Sequence, residues 1–148
     1  MRAPWLRAIT FTAATVGMLT TAVTHAHGAG EKVTPVMRQE IANIPGKSLV
    51  ALVVDYAPGA GSPSHVHAKS AFIYGYVVSG AIESQVNEGP RQVLRAGDSF
   101  YEPPGARHSV SRNASKTRPA KLLAVFVVDS GDTALTTPIQ SPTRGSRP

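Results

Sequence analysis

Between Ser48 and Asp129 the chain is cut at short intervals by Gly and Pro, and this punctuation limits its fold more than any other feature. Pro58-Gly59, Gly80, Gly89-Pro90, Gly97-Asp98 and Pro103-Pro104-Gly105 each mark a turn. The stretches between them are rich in Val, Leu, Tyr and Phe, which suit a pleated, partly buried surface. None is long enough, or has the 3.6-residue apolar period, for an amphipathic helix. Seven or eight short strands with turn signals roughly eight to twelve residues apart predict an all-β sandwich or barrel.

Size agrees with one such unit. The 148 residues suffice for one domain and not for two of ordinary size. There are no cysteines, so disulfides, a thiolate nucleophile and sulfur-ligated metal sites are excluded. Any metal site must therefore be built from His and carboxylate.

Residues 1–26 read as a signal peptide. Arg2 and Arg7 form its positive start, Ala8 to Val23 is apolar and uncharged, and Thr24-His25-Ala26 offers small residues around a cut after Ala26. The run is diluted by threonines and is too polar for a comfortable membrane span. Its removal leaves a bacterial periplasmic or secreted protein with no stable membrane span. Taking Arg2 and Arg7 from the 15 basic residues leaves 13 against 9 acidic ones, a net charge of +4. These charges are scattered and not interleaved with exposed aromatics, so no nucleic-acid partner is expected.

The expected organisation is a signal peptide (1–26), a polar lead-in broken by Pro35 (27–43) with room for one edge strand, a barrel (44–130) and a flexible tail rich in Pro, Ser, Thr and Arg (131–148). Ser48 to Tyr56 is apolar enough to be a strand buried on both faces. Along 72–77, alternation puts Ile73, Gly75 and Val77 on one face and Phe72, Tyr74 and Tyr76 on the other.

Three histidines sit at telling positions. His65 and His67 are two apart, so on a strand both imidazoles point to one side. His108 follows Pro103-Pro104-Gly105 and can close the site from a neighbouring strand. Three imidazoles leave positions on a divalent ion open to water or substrate. Alone, the His-x-His pair equally suits two loop-edge side chains held by backbone hydrogen bonds.

The surrounding residues resemble the cupin superfamily, in the manner of a small single-domain type-2 cupin. Its first motif runs Gly, five residues, His-x-His, a short gap, Glu, six residues, Gly; here Gly59 precedes His65-Val66-His67 and Gly80 closes the following strand. Its second runs Gly, five residues, Pro-x-Gly, two residues, His, then Asn; here Gly97 leads to Pro103-Pro104-Gly105 and His108, with Asn113 one place late. The resemblance covers roughly residues 44–130. It implies a double-stranded β-helix, or jelly roll, with His65, His67 and His108 holding one divalent metal (Fe, Mn, Ni, Cu or Zn) inside the barrel.

The departure is the glutamate. Counting forward from His67 it falls at Ala71 or Phe72, and counting back from Gly80 at Ile73; none is acidic. A neutral three-imidazole set would leave an ion's double charge uncompensated and favour an anionic ligand. Alternatively Glu83 or Glu102 reaches in from a neighbouring strand, with Glu102 the better placed, or both are surface carboxylates. Tyr74, Tyr76 and Tyr101 either offer phenol donors to substrate or pack between sheets with their hydroxyls at the rim. Glu102 and Tyr76 are thus the candidate catalytic residues. Ser70 could hydrogen-bond a ligand, and His27, at a new N-terminus, could chelate copper.

The resemblance implies either a metal-dependent enzyme or a non-catalytic module holding a metal or small ligand. The enzyme would be dioxygenase-like and act on a small organic anion, with isomerase and lyase chemistry also represented in the family. A homodimer is expected from the resemblance alone.

Overall fold

The architecture comes from a computed structural model, which describes residues 28–139. The expected signal peptide (1–26), His27 and the last nine residues lie outside the described residues.

Ten strands form: β1 (Glu31–Glu40), β2 (Lys47–Tyr56), β3 (His65–His67), β4 (Phe72–Ser79), β5 (Ala81–Val86), β6 (Gln92–Arg95), β7 (Ser99–Glu102), β8 (Arg107–Asn113), β9 (Ala120–Asp129) and β10 (Thr136–Pro138). They make two five-stranded sheets, ordered β1-β2-β9-β4-β7 and β10-β3-β8-β5-β6. All the pairings are antiparallel. The chain passes back and forth between the sheets, as a jelly roll requires.

The alternation along residues 72–77 is realised: Ile73, Gly75 and Val77 are buried while Phe72, Tyr74 and Tyr76 are exposed. β2 and β9 bury Leu52, Val54, Leu122 and Phe126 against the opposite sheet, and their other faces are largely half-buried. Burying each such side chain stabilises the fold by about 1.5–3 kcal/mol. Gly75 is required by a close approach, because a Cβ there would lie 2.5 Å from the ring of Phe100 on β7. Gly80 turns the chain from one sheet to the other with φ of 74°.

Two expectations change at the barrel's ends. The lead-in supplies a full ten-residue edge strand, β1, whose Pro35 is tolerated at a register shift between Pro35 and Met37. The segment from 131, expected to be a flexible tail, instead contributes β10, paired with β3. Leu135 is completely buried and anchors it in the core with Val50, Ile73 and Phe126. One apolar side chain outweighs the polar composition around it.

Candidate metal centre

β3 is short, but its alternation decides the site: His65 and His67 are buried and Val66 is turned away. His65 lies directly opposite His108 in the β3–β8 ladder, so their side chains share a face. The ring centroids stand 4.8 Å apart for His65–His67, 5.4 Å for His65–His108 and 6.0 Å for His67–His108. One ligand nitrogen from each of the three falls within 4.8 Å of the others.

Glu102 enters from the opposite sheet and is 3% exposed. Its Oε2 lies 3.0 Å from His67 Nε2 and 3.3 Å from His108 Nδ1. The register explains how it arrives: Glu102 on β7 pairs directly with Ile73 on β4. Residues opposite one another in an antiparallel pair project from the same face about 5 Å apart. The carboxylate missing at Ile73 is thus supplied one strand over, on the same wall. Burial works to raise the pKa of Glu102, but the adjacent His108 and His67 outweigh it and hold the carboxyl below the usual carboxylate range.

The backbone aims two of the rings. His65 Nδ1 donates to the Pro63 carbonyl at 2.7 Å, and His67 Nδ1 to the Leu135 carbonyl at 3.3 Å. A carbonyl only accepts, so both Nδ1 atoms carry a proton, and in the neutral ring this leaves the Nε2 lone pair facing the site. Burial pushes the His65 pKa down to about 4, which keeps that ring neutral at neutral pH. His108 Nε2 is 3.0 Å from Ser84 Oγ, and its Nδ1 faces Glu102.

This arrangement fits a cation. His67 Nε2 and Glu102 Oε2 are both buried and neither makes a directed hydrogen bond. His67 Nε2 and Glu102 Oε2, only 3.0 Å apart, need positive charge between them, which either a proton on the imidazole or a bound cation supplies. Three imidazoles and one carboxylate form a donor set suited to a divalent transition metal. Carbonyls that orient ligating imidazoles are a regular feature of such centres.

The site borders a cavity of about 60 Å³. Its walls are mainly apolar, with Leu52, Val54, Leu122 and Phe126 prominent. Near His65 it also meets a hydrogen-bonded chain. Tyr56 OH lies 2.8 Å from Ser62 Oγ and 2.9 Å from Ser111 Oγ, and Ser62 donates to the Glu31 carboxylate. Burial, reinforced by the charges of Glu31 and Glu102, pushes the Tyr56 phenol up to about 12, so it stays protonated.

Other sequence candidates lie elsewhere. Tyr76 is not at the cavity: strand alternation turns it, with Tyr74, to the outer face of the first sheet, and Tyr101 joins them there. They neither reach the cavity nor pack between the sheets. Glu83 is held on the exterior by Arg112 at 2.6 Å and Arg91 at 3.1 Å. Ser70 bonds Asp132 and the amide of Asp129, a loop-tying role. Asn113 is also structural, its amide reaching the carbonyls of Ala57 and Arg118. Sequence reasoning missed the Leu135 carbonyl, Ser84 and the Tyr56 chain. Alternation along β5 from Ile82 could have flagged Ser84 as a polar residue at an inward position, whereas Ser111, three residues past His108, turns inward through a register shift in the β5–β8 pairing.

Comparison with known proteins follows the same lines. The cupin domain family model matches residues 52–126, just over half of the chain. The cupin-domain-containing oxidoreductase fogC of Aspergillus ruber is 28% identical over 78 residues, covering 53% of this chain and 37% of that protein. The chain therefore corresponds to little more than a third of that relative. An oxalate oxidase solved with the substrate analogue glycolate superposes with a TM-score of 0.55 at 27% identity, over 77% of this chain and 59% of that one. A conserved protein with a double-stranded β-helix domain from Klebsiella pneumoniae gives 0.58 at 23% identity, over 78% and 91%. With the family's histidines converging inside a jelly roll, and the family model spanning most of both sheets, this chain belongs to the cupin domain family.

Proposed function

We propose that this protein is a metal-dependent oxidoreductase, of the oxygenase kind, that binds one divalent ion through His65, His67, His108 and Glu102 and acts on a small molecule in the adjoining cavity. The observation that carries the reading is the buried, unbonded pair of His67 Nε2 and Glu102 Oε2. Likeness to an oxidoreductase and to an oxalate oxidase supports the choice of redox chemistry. When bound, the ion would act as Lewis acid and electron relay for a molecule at its open positions.

The protein's own groups have distinct parts. His65 and His67 are aimed by the Pro63 and Leu135 carbonyls. Glu102 cancels one of the ion's two charges, which weakens the pull toward an anionic substrate that three neutral imidazoles alone would exert. The apolar walls exclude bulk water, strengthening each polar contact inside.

A second reading is a cupin that holds a metal or small ligand without turnover, and the small cavity favours it. Metal analysis of protein purified without an affinity tag separates the two. Bound iron with oxygen uptake on a substrate panel supports the enzyme. Stoichiometric zinc or nickel without turnover supports the module. Metal that is substoichiometric, lost on dialysis and indifferent to His108→Ala would overturn both.

Export is part of the proposal and rests on the leader-like residues 1–26. N-terminal sequencing of protein from the periplasm, beginning within a few residues of His27, is the expected result. No helix among the described residues is long and apolar enough to cross a membrane. A homodimer formed through the outer face of the first sheet is consistent with the exposed Phe72, Tyr74 and Tyr101 there, and sedimentation analysis tests it.

A further inference from the structure

Building on the metal-site reading, we propose that the molecule admitted to this cavity is small, uncharged and mostly apolar, and carries one hydroxyl that it donates to Ser111. An organic anion is disfavoured.

Charge is the first ground. Among the described residues, no Lys or Arg lines the cavity; its only charged side chains besides the histidines are the carboxylates Glu31 and Glu102. Basic side chains are engaged outside, Arg112 and Arg91 with Glu83, Lys47 with Asp129 and Lys121 with Asp55. With a divalent ion bound, its two charges are balanced by Glu31 and Glu102, so a dianion entering here would lose its hydration and find no net positive charge, guanidinium or ammonium to receive it. Anion sites are ordinarily built from such groups or from clustered N–H donors.

The direction of the hydroxyl chain is the second ground. The Glu31 carboxylate accepts hydrogen bonds from the Gly28 amide at 2.7 Å and from the Ser62 hydroxyl. Ser62 has then spent its single proton, so across the 2.8 Å contact Tyr56 must donate to Ser62. Tyr56 has likewise spent its own, so across the 2.9 Å contact Ser111 must donate to Tyr56. Every proton points toward Glu31, and Ser111 is left with only lone pairs to offer. The inner end of the chain is an acceptor, which a ligand O–H satisfies and a carboxylate oxygen does not.

Volume is the third. About 60 Å³ is several times the roughly 10–15 Å³ that one enclosed water needs, which leaves room for a molecule of a few heavy atoms. That space, with walls such as Leu52, Leu122 and Phe126, suits a few apolar atoms beside one polar one. Ligands of this size bind weakly, with dissociation constants around millimolar.

The test is ligand-observed NMR titration of the full mature protein, metal-free and metal-loaded, with isobutanol, methyl isopropyl ether, oxalate and glycolate as probes. The expected order puts isobutanol about tenfold ahead of the ether, the worth of one hydrogen bond, and ahead of both anions. Ser111→Ala should erase the preference for the alcohol over the ether. Glu31→Gln, whose amide can donate to Ser62 and so reverse the chain, should erase it too and improve glycolate binding. Oxalate or glycolate binding more tightly than isobutanol, or no alcohol preference in the unmodified protein, overturns the proposal and leaves the metal reading standing. Protein that holds no metal yet keeps the alcohol preference overturns the metal reading and supports this one.

Discussion

The two sheets bring opposite kinds of wall to one cavity. β3 and β8 turn inward His65, His67, His108 and Ser111, polar groups that bury little apolar area. β2, β4 and β9 turn inward Leu52, Val54, Ile73, Leu122 and Phe126, which make up much of both core clusters. Glu102 is the exception, a carboxylate on the apolar side aimed across at the imidazoles. One sheet therefore carries most of the stability and the other most of the chemistry. The centre can be built from costly buried polar groups because the facing wall supplies the apolar burial that offsets them.

The largest expected effect is on the apolar wall. Phe126→Ala should destabilise the metal-free protein by about 3–5 kcal/mol, read from the denaturant midpoint at constant m. A loss under about 1 kcal/mol would mean that the core does not sit where the division of labour puts it.

Acid should expose the cost of the polar wall. The folded state lowers the His65 pKa from 6.5 to about 4, so below pH 6.5 the unfolded chain binds the proton first. This contribution, about 3 kcal/mol, is complete above pH 6.5 and drains away as pH falls toward 4. Glu102, held below its usual range, acts in the same direction: its contribution is present above pH 4.5 and is lost on further acidification. Denaturation curves of metal-free protein between pH 7 and 4 check the slope, and His65→Gln should flatten it.

Changes at the ligands should move metal affinity more than stability. If a protein site's roughly 10–16 kcal/mol is shared among four ligands, His67→Ala costs about 3 kcal/mol, or roughly 10²-fold in metal affinity. Competition with a chromophoric chelator measures it. Glu102→Gln keeps the shape and removes the charge, and should weaken metal binding by roughly 10–100-fold. An unchanged affinity would leave a pure three-histidine centre, and the exception on the apolar wall would lose its meaning. The smallest effect is on the outside of that wall, where Tyr76→Ser should alter monomer stability by no more than about 0.5 kcal/mol and leave metal binding untouched.

Much of this was legible residue by residue. Turn residues located β2, β4 and β9, and alternation put Ile73 and Val77 together on one face, because a strand's period of two is a local property. His-x-His carried its own geometry for the same reason, and the Pro-Pro-Gly turn announced His108. Two kinds of feature were not legible. Tyr76 looked like a site residue because alternation tells which residues share a face but not which face meets the cavity. Leu135 looked like part of a loose tail because the polar composition around it said nothing of the buried slot that receives it.

By itself, then, the sequence determined the all-β class, the division of residues 72–77 between two faces, and three histidines able to share a face. It also determined that no carboxylate stands at positions 71–73. The tertiary structure alone decided that Glu102 stands beside the imidazoles, since cross-strand register between β4 and β7 depends on how distant segments pair. The same holds for the Leu135 carbonyl behind His67, the Ser84 contact with His108 and the hydroxyl chain from Ser111 to Glu31. Each joins residues far apart in the chain, and a period read along the sequence carries no information about which strands become neighbours.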